Sequence, residues 1–129
     1  DVAVTGVQTC ALPIYLVEAA DRHAVRRLAP DFARLARVDC RGAIVTAPSD
    51  APGADFVSRF FAPSVGVDED PVTGSAHCVL TPYWAAKLDK DRLDALQVSP
   101  RGGSLRLTQD GDRVKIAGQA VTVLRGELR

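Results

Sequence analysis

The chain changes its hydrophobic rhythm twice. Its first half mixes short apolar runs with helical and alternating stretches. Tyr15–Glu18 (YLVE) reads as a strand, since Tyr and Val suit a pleated surface. Asp21 fits the N-cap of a short helix over Arg22–Leu28, ended by Pro30. Pro30 equally suits the start of a second helix, Asp31–Val38, in which Phe32, Leu35 and Ala36 share a face. Gly42–Ala47 (GAIVTA) is an apolar run of strand length, as expected of a strand buried on both sides. A Pro/Gly/Asp loop covers Ser49–Ala54. Asp55–Phe61 (DFVSRFF) then alternates, with Phe56, Ser58 and Phe60 on one face and Val57, Arg59 and Phe61 on the other.

The first change comes at Thr73–Leu88, whose single charge is Lys87. Val79, Leu80, Tyr83, Trp84, Ala85 and Leu88 leave no polar face, which predicts a helix buried all round and wrapped by other elements. Pro82 removes one backbone hydrogen bond and predicts a kink. After Asp89–Arg92 the period becomes two. Leu96–Ser99, Ser104–Thr108, Arg113–Ala117 and Ala120–Leu124 read as strands, with turns at Gly102-Gly103 and Asp110-Gly111. Strands, one buried helix and an antiparallel meander predict an α+β domain: a curved, mostly antiparallel sheet around a central helix at about 73–88.

Composition narrows the function classes. A chain of 129 residues is long enough for one domain with a real core. Sixteen basic residues balance sixteen acidic ones, so no net field favours nucleic acid or an anionic membrane. No apolar run reaches the roughly 18 residues of a membrane helix, and a soluble cytoplasmic protein is expected. Cys10, Cys40 and Cys78 stand far apart, with no Cys/His cluster of zinc spacing, so free thiols and no metal are expected. Residues 4–14, VTGVQTCALPI, read as the translation of a sequencing-adapter oligonucleotide. Residues 1–14 are therefore expected to be a non-native scar, with the native chain running over 15–129.

The chemistry concentrates where the acidic stretch VDEDPVTGSA meets the apolar helix. A helix start offers free N–H groups and a partial positive charge, which suit an anion. Thr73-Gly74-Ser75-Ala76 stands there: Gly74 permits close approach to the backbone, and Ser75 offers a hydroxyl. A carboxylate or phosphate could be held without any arginine. Asp70 would face the same pocket as a proton donor or acceptor, with Pro71 stiffening the link. The plainer alternative is an N-cap at Thr73 or Ser75, with Glu69 and Asp70 complementing the dipole. No Lys follows Gly-Ser, which excludes a Walker phosphate loop. His77 and Cys78 point about 100° apart on a helix, so they cannot easily pair as nucleophile and base. His77 is expected as a wall residue or one supporting the site from behind, and Cys78 as a small core residue. Arg59 suits either a buried ion pair or a pocket.

The runs SRFFAP (58–63) and GVDEDPVTGSAHCVLTPYW (66–84), with RGGSLRL (101–107) and GQAVTVLRGEL (118–128), resemble the PhzF-like phenazine biosynthesis family. That resemblance implies a diaminopimelate-epimerase-like fold of two lobes, each a rolled sheet around a central helix, with the active site between them. This sequence resembles the C-terminal lobe alone. The family likeness implies a cofactor-independent isomerase acting by acid–base proton transfer on a small carboxylate-bearing metabolite. Asp70 and Ser75 then correspond to catalytic positions, and Thr73, Gly74, Ser75 and Ala76 to a substrate-anion cradle. It also implies a glutamate supplied by an N-terminal lobe, which nothing in 1–40 resembles, so this chain alone is expected to be weakly active or inactive. No cysteine stands at the Asp70 position, which disfavours thiol-based racemisation. The likeness further suggests a homodimer. A non-catalytic small-anion-binding domain, or a remnant of a truncated gene, is the alternative.

Overall fold

The computed structural model describes residues 12–128. Its elements run β1 (Ile14–Glu18), α1 (Arg22–Arg27), α2 (Phe32–Leu35), β2 (Gly42–Pro48), β3 (Phe56–Ala62), β4 (Val67–Asp70), α3 (Gly74–Leu88), β5 (Arg92–Gln97), β6 (Gly103–Asp110) and β7 (Arg113–Ala117). The seven strands form one sheet in the order β1-β2-β3-β5-β6-β7, with β4 also paired to β3. Two of its six pairings are parallel, β1 with β2 and β3 with β5, and the other four are antiparallel. The α+β character and mostly antiparallel sheet match expectation. Of residues 1–14, the first eleven lie outside the described residues. Ile14 opens β1 opposite Gly42, and Pro13 accepts the Arg41 N–H at 2.9 Å.

Alternation along β2, β3 and β5 divides the core in two. Ile44, Phe56, Phe60, Leu93, Leu105 and Leu107 face α3 and pack with Ala76, Leu80 and Trp84. Val45, Ala47, Val57 and Phe61 face the other way, where Val25 of α1 and Phe32 and Leu35 of α2 cover them. β2 is thus buried on both sides through Ala47, as its unbroken apolar run predicts. Each large side chain so buried is worth about 1.5–3 kcal/mol of transfer free energy. Trp84 stacks on Phe56 with centroids 5.6 Å apart and planes at 10°. Its indole N–H donates to Thr46 Oγ1 at 3.0 Å, and that hydroxyl donates to the Val57 carbonyl at 2.7 Å, so no polar atom of the group is stranded.

Several expectations need correction. α3 is the core helix, but only one face of it is buried. Ala76, His77, Leu80, Thr81, Trp84 and Ala85 form the buried stripe, while Ser75, Cys78, Val79, Pro82 and Ala86 are exposed. Cys78 is therefore a surface thiol, whereas Cys40 is buried. The helix continues through Pro82, whose solvent position lets water meet the carbonyl that the proline leaves without a donor. The strand expected at Ala120–Leu124 does not form: the segment has no regular structure and no strand partner, with Val121 at 84% and Val123 at 91% exposure. A strand needs a partner, and no described strand pairs with this segment. Conversely, β4 was not anticipated. Its residues VDED are poor strand formers, and pairing with β3 across a register irregularity between Phe60 and Ala62 imposes the conformation. Both short helices begin where expected, with Asp21 accepting from the Ala24 N–H and Asp31 from the Arg34 N–H, but α2 spans only Phe32–Leu35.

Candidate functional site

The turn Asp70–Thr73 joins edge strand β4 to α3, and the two acids before it have opposite fates. Glu69 takes a bidentate pair from Arg59, Nε to Oε1 at 2.7 Å and Nη2 to Oε2 at 2.8 Å, with both side chains nearly buried. Arg59 Nη1 also donates to the carbonyls of Leu28 at 2.7 Å and Val25 at 3.2 Å, closing the C-terminal end of α1, while its guanidinium lies over Phe61. Of the two roles open to Arg59 in the sequence, the structure selects the buried ion pair. Glu69 is a structural acid, and it does not complement the α3 dipole.

Asp70 is held differently. Its Oδ2 accepts from the Thr73 hydroxyl at 2.5 Å. Gln97, buried at the end of β5, accepts the Thr73 N–H on Oε1 at 2.8 Å. Its Nε2 then donates to the Asp70 carbonyl at 2.6 Å and to Thr73 Oγ1 at 3.1 Å. Because Gln97 donates to the threonine oxygen, the threonine proton is directed at Asp70. One carboxylate oxygen is thereby fixed and the other is left for the cavity. Ser99 adds a second latch, its hydroxyl donating to the Pro71 carbonyl at 2.8 Å and accepting the Gly102 N–H at 3.0 Å. The loop presses so closely that a Cβ on Gly103 would stand 2.3 Å from a Val72 methyl. Only glycine fits there.

Thr73 occupies the N-cap of α3 but makes no side-chain cap, since its hydroxyl is turned back to Asp70. Side-chain capping by Thr73 therefore fails on geometry, and no described side chain bonds the Gly74 or Ser75 N–H. A Cβ added to Gly74 would meet nothing within 4 Å, so no packing demand explains a glycine there. His77 secures the turn from beneath. Its Nδ1 lies 2.7 Å from the Thr73 carbonyl, which can only accept, so Nδ1 carries the proton and Nε2, 3.4 Å from Ser58 Oγ, is the acceptor. Burial pushes the His77 pKa below its ordinary value, against the Thr73 carbonyl, which favours the charged form. It is a neutral positioning group behind the site, and it does not face the cavity.

A cavity of about 340 Å³ opens at this mouth. Asp70, Thr73, Gly74 and Ser75 supply its polar wall, Phe60, Ala62, Val65 and Val67 its apolar wall, and Arg41 its rim. Four expected site residues, Asp70, Thr73, Gly74 and Ser75, thus come together. Ala76 is 1% exposed and faces the core, so only its backbone could contribute. Arg41 and Gln97 went unremarked in the sequence. Arg41 is distant in sequence and sits outside any motif, while the order Gln-x-Ser just before the turn was a weak signal for Gln97 and Ser99. A larger recess of about 490 Å³ lies along β5–β7, among Arg92, Asp94, Arg106 and Lys115. It is a furrow along strands β5, β6 and β7, lined mainly by charged and aliphatic side chains. Among the described residues no cluster has the make-up of a metal site, and no helix is long and apolar enough to cross a membrane.

An open mixed sheet with its core helix starting at a fixed acid–hydroxyl–glycine turn defines the class. The family described as phenazine biosynthesis-like protein (PhzC-PhzF) matches residues 2–126, and the chain belongs to it. A Pseudomonas aeruginosa protein named an uncharacterized isomerase is 58% identical over 114 residues, covering 88% of this chain and 43% of that one. A similarly named Halalkalibacterium halodurans protein is 53% identical over the same length and shares. Among solved structures, a PhzF-family protein from Enterococcus faecalis superposes with a TM-score of 0.77 at 45% identity, over 80% of this chain and 39% of that one. A Clostridium difficile PhzC/PhzF protein gives 0.78 at 38% identity, over 90% and 44%. The fold is that of one lobe of the diaminopimelate-epimerase-like architecture. The chain spans less than half the length of these relatives.

Proposed function

We propose that this chain supplies one wall of the active site of a cofactor-independent isomerase that moves a proton on a small carboxylate-bearing metabolite. The observation that supports it most is the pairing of a fixed carboxylate with open amide donors on one cavity. Asp70 has one oxygen held by Thr73 and the other free, beside the uncapped Gly74 and Ser75 amides. In this reading the amides and the Ser75 hydroxyl hold the ligand's carboxylate, and the apolar wall receives its carbon skeleton. Asp70 then takes or returns the proton. The relatives named isomerases support that general activity. Cytoplasmic location and homodimer formation belong to the same proposal.

A second reading, anion binding without catalysis, is favoured by one observation. Asp70 is the one carboxylate among the cavity's lining residues, and proton shuttling between two positions ordinarily uses a second titratable group. The two are separated by incubating the whole protein in D2O with a set of small cyclic carboxylates and following deuterium uptake by NMR. Exchange at a ring carbon that Asp70→Asn abolishes is the expected result. Exchange unaltered by Asp70→Asn removes the assigned role, and binding with no exchange favours the second reading.

A further inference from the structure

Two arginines lie near the mouth of α3, and they differ in what remains for a ligand. Arg59 is spent, with its donors on Glu69 and on carbonyls of α1. Arg41 sits on the rim of the Asp70 cavity, is exposed, and enters no ion pair or side-chain hydrogen bond among the described residues. Its backbone is nevertheless fixed. The Arg41 N–H donates to the Pro13 carbonyl at 2.9 Å, and the carbonyl just before it, that of Cys40, accepts from Ser64 Oγ at 2.8 Å. The next residue, Gly42, is packed so tightly that a Cβ would lie 2.7 Å from the Phe60 ring and 2.8 Å from the Phe61 carbonyl. A free guanidinium on a fixed stem loses little backbone freedom on engaging a ligand.

The cavity is thus lined by an arginine and an aspartate that do not pair with each other, together with the apolar Phe60, Val65 and Val67. We propose that Arg41 is the specificity-determining residue of this cleft, gripping the ligand's carboxylate together with the Gly74 and Ser75 amides, so that anionic ring compounds are taken and neutral isosteres refused. This rests on the reading of Asp70–Ser75 as a ligand site and adds to it the cation that the turn itself lacks. A guanidinium on a carboxylate makes a charge-assisted pair, stronger than the neutral bond an amide ligand could accept.

The test uses the 15N-labelled chain at low ionic strength, titrated with benzoate and, in parallel, with benzamide. Benzoate is expected to move the Gly74 and Ser75 amide resonances, with benzamide binding roughly tenfold more weakly. Arg41→Gln should weaken benzoate by about tenfold and leave benzamide unchanged, and Arg41→Lys should restore part of the loss. The spectrum of each variant reports its fold directly. Benzoate binding by Arg41→Gln at full strength, with Gly74 and Ser75 still responding, overturns the role of Arg41 and spares the site. Absence of any benzoate response at Gly74 and Ser75 in the unaltered chain overturns the site, and the role of Arg41 with it.

Discussion

The two ends of α3 are built on opposite principles. The C-terminal end is closed by a backbone cap and a complementary charge. Asp89 adopts the left-handed conformation at φ 53°, which lets Lys90 N–H close on the Ala85 carbonyl at 3.1 Å. Lys87 in the last turn complements the dipole and pairs with Glu18 of β1. At the N-terminal end two acids stand within reach, yet neither caps the helix. Glu69 goes to Arg59, and Asp70 is bound from behind by Thr73. A helix end left open beside groups that could have closed it is poor design for stability and good design for a ligand. The comparison also separates residues that hold the turn from residues that would use it.

The largest effect is expected from the residues that hold the turn. Glu69→Ala leaves Arg59 charged, nearly buried and without its carboxylate. Removing one partner from such a pair costs about 3–5 kcal/mol. Urea denaturation should show the midpoint falling by a large fraction of its value. A change below about 1 kcal/mol would mean that water reaches Arg59 freely, and the division between holding acid and working acid would fail.

His77 sharpens the comparison through pH. Its folded pKa is lowered by burial, so as pH falls below the ordinary histidine value of 6.5 the unfolded chain takes up a proton that the folded chain refuses. Stability is full above that value, decreases as pH drops through the window down to the folded pKa, and stops decreasing below it. The slope is at most one proton's worth, about 1.4 kcal/mol per pH unit. His77→Gln should unfold at lower urea but lose this slope, which denaturation series between pH 7 and pH 5 would read. A slope that persists in the variant assigns it to other groups.

Much of this was legible from pattern. Alternation in DFVSRFF put Phe56 and Phe60 on one face and Val57 and Phe61 on the other, because a half-turn per residue leaves no other arrangement. The structure packs the first face on α3 and the second on α1 and α2. The motif placed Asp70, Thr73, Gly74 and Ser75 together because they are local. What failed was whatever depended on a neighbour. β4 forms because it pairs with β3, while AVTVL is strand-like in composition and pairs with no described strand. Apolar residues all round α3 predicted burial all round, but residue type does not tell a face that is covered from one that merely could be. Arg41 and Gln97 reach the site through the sheet order, and that order cannot be read from spacing.

Gly74 gives a smaller and more discriminating effect. A helical glycine is weaker than alanine by about 0.5–1 kcal/mol, and here a Cβ meets only open space. Gly74→Ala should therefore raise the urea midpoint slightly while weakening benzoate at the neighbouring amides. Stability and binding moving in opposite directions would mark the glycine as kept for the cavity. A stability loss would show that the turn needs glycine for its own geometry, and the openness of this end would have a structural cause.

The smallest effect belongs to the closed end. Lys87 Nζ reaches both Glu18 oxygens, at 2.7 and 2.5 Å, with Tyr83 hydrogen-bonded to the same carboxylate. That contact holds Glu18 below the ordinary carboxylate range and raises Lys87. All of it lies in solvent, where the side-chain entropy of two long residues and ionic screening offset most of the attraction. Lys87→Gln should lower the urea midpoint only slightly, and the difference from the parent should vanish at molar salt. Benzoate binding at the far end should not change. A loss of binding would couple the two ends through the helix dipole over its full length of 15 residues, where the dipole's influence is expected to fade within one turn. That outcome would require the open end and the closed end to be treated as one electrostatic unit.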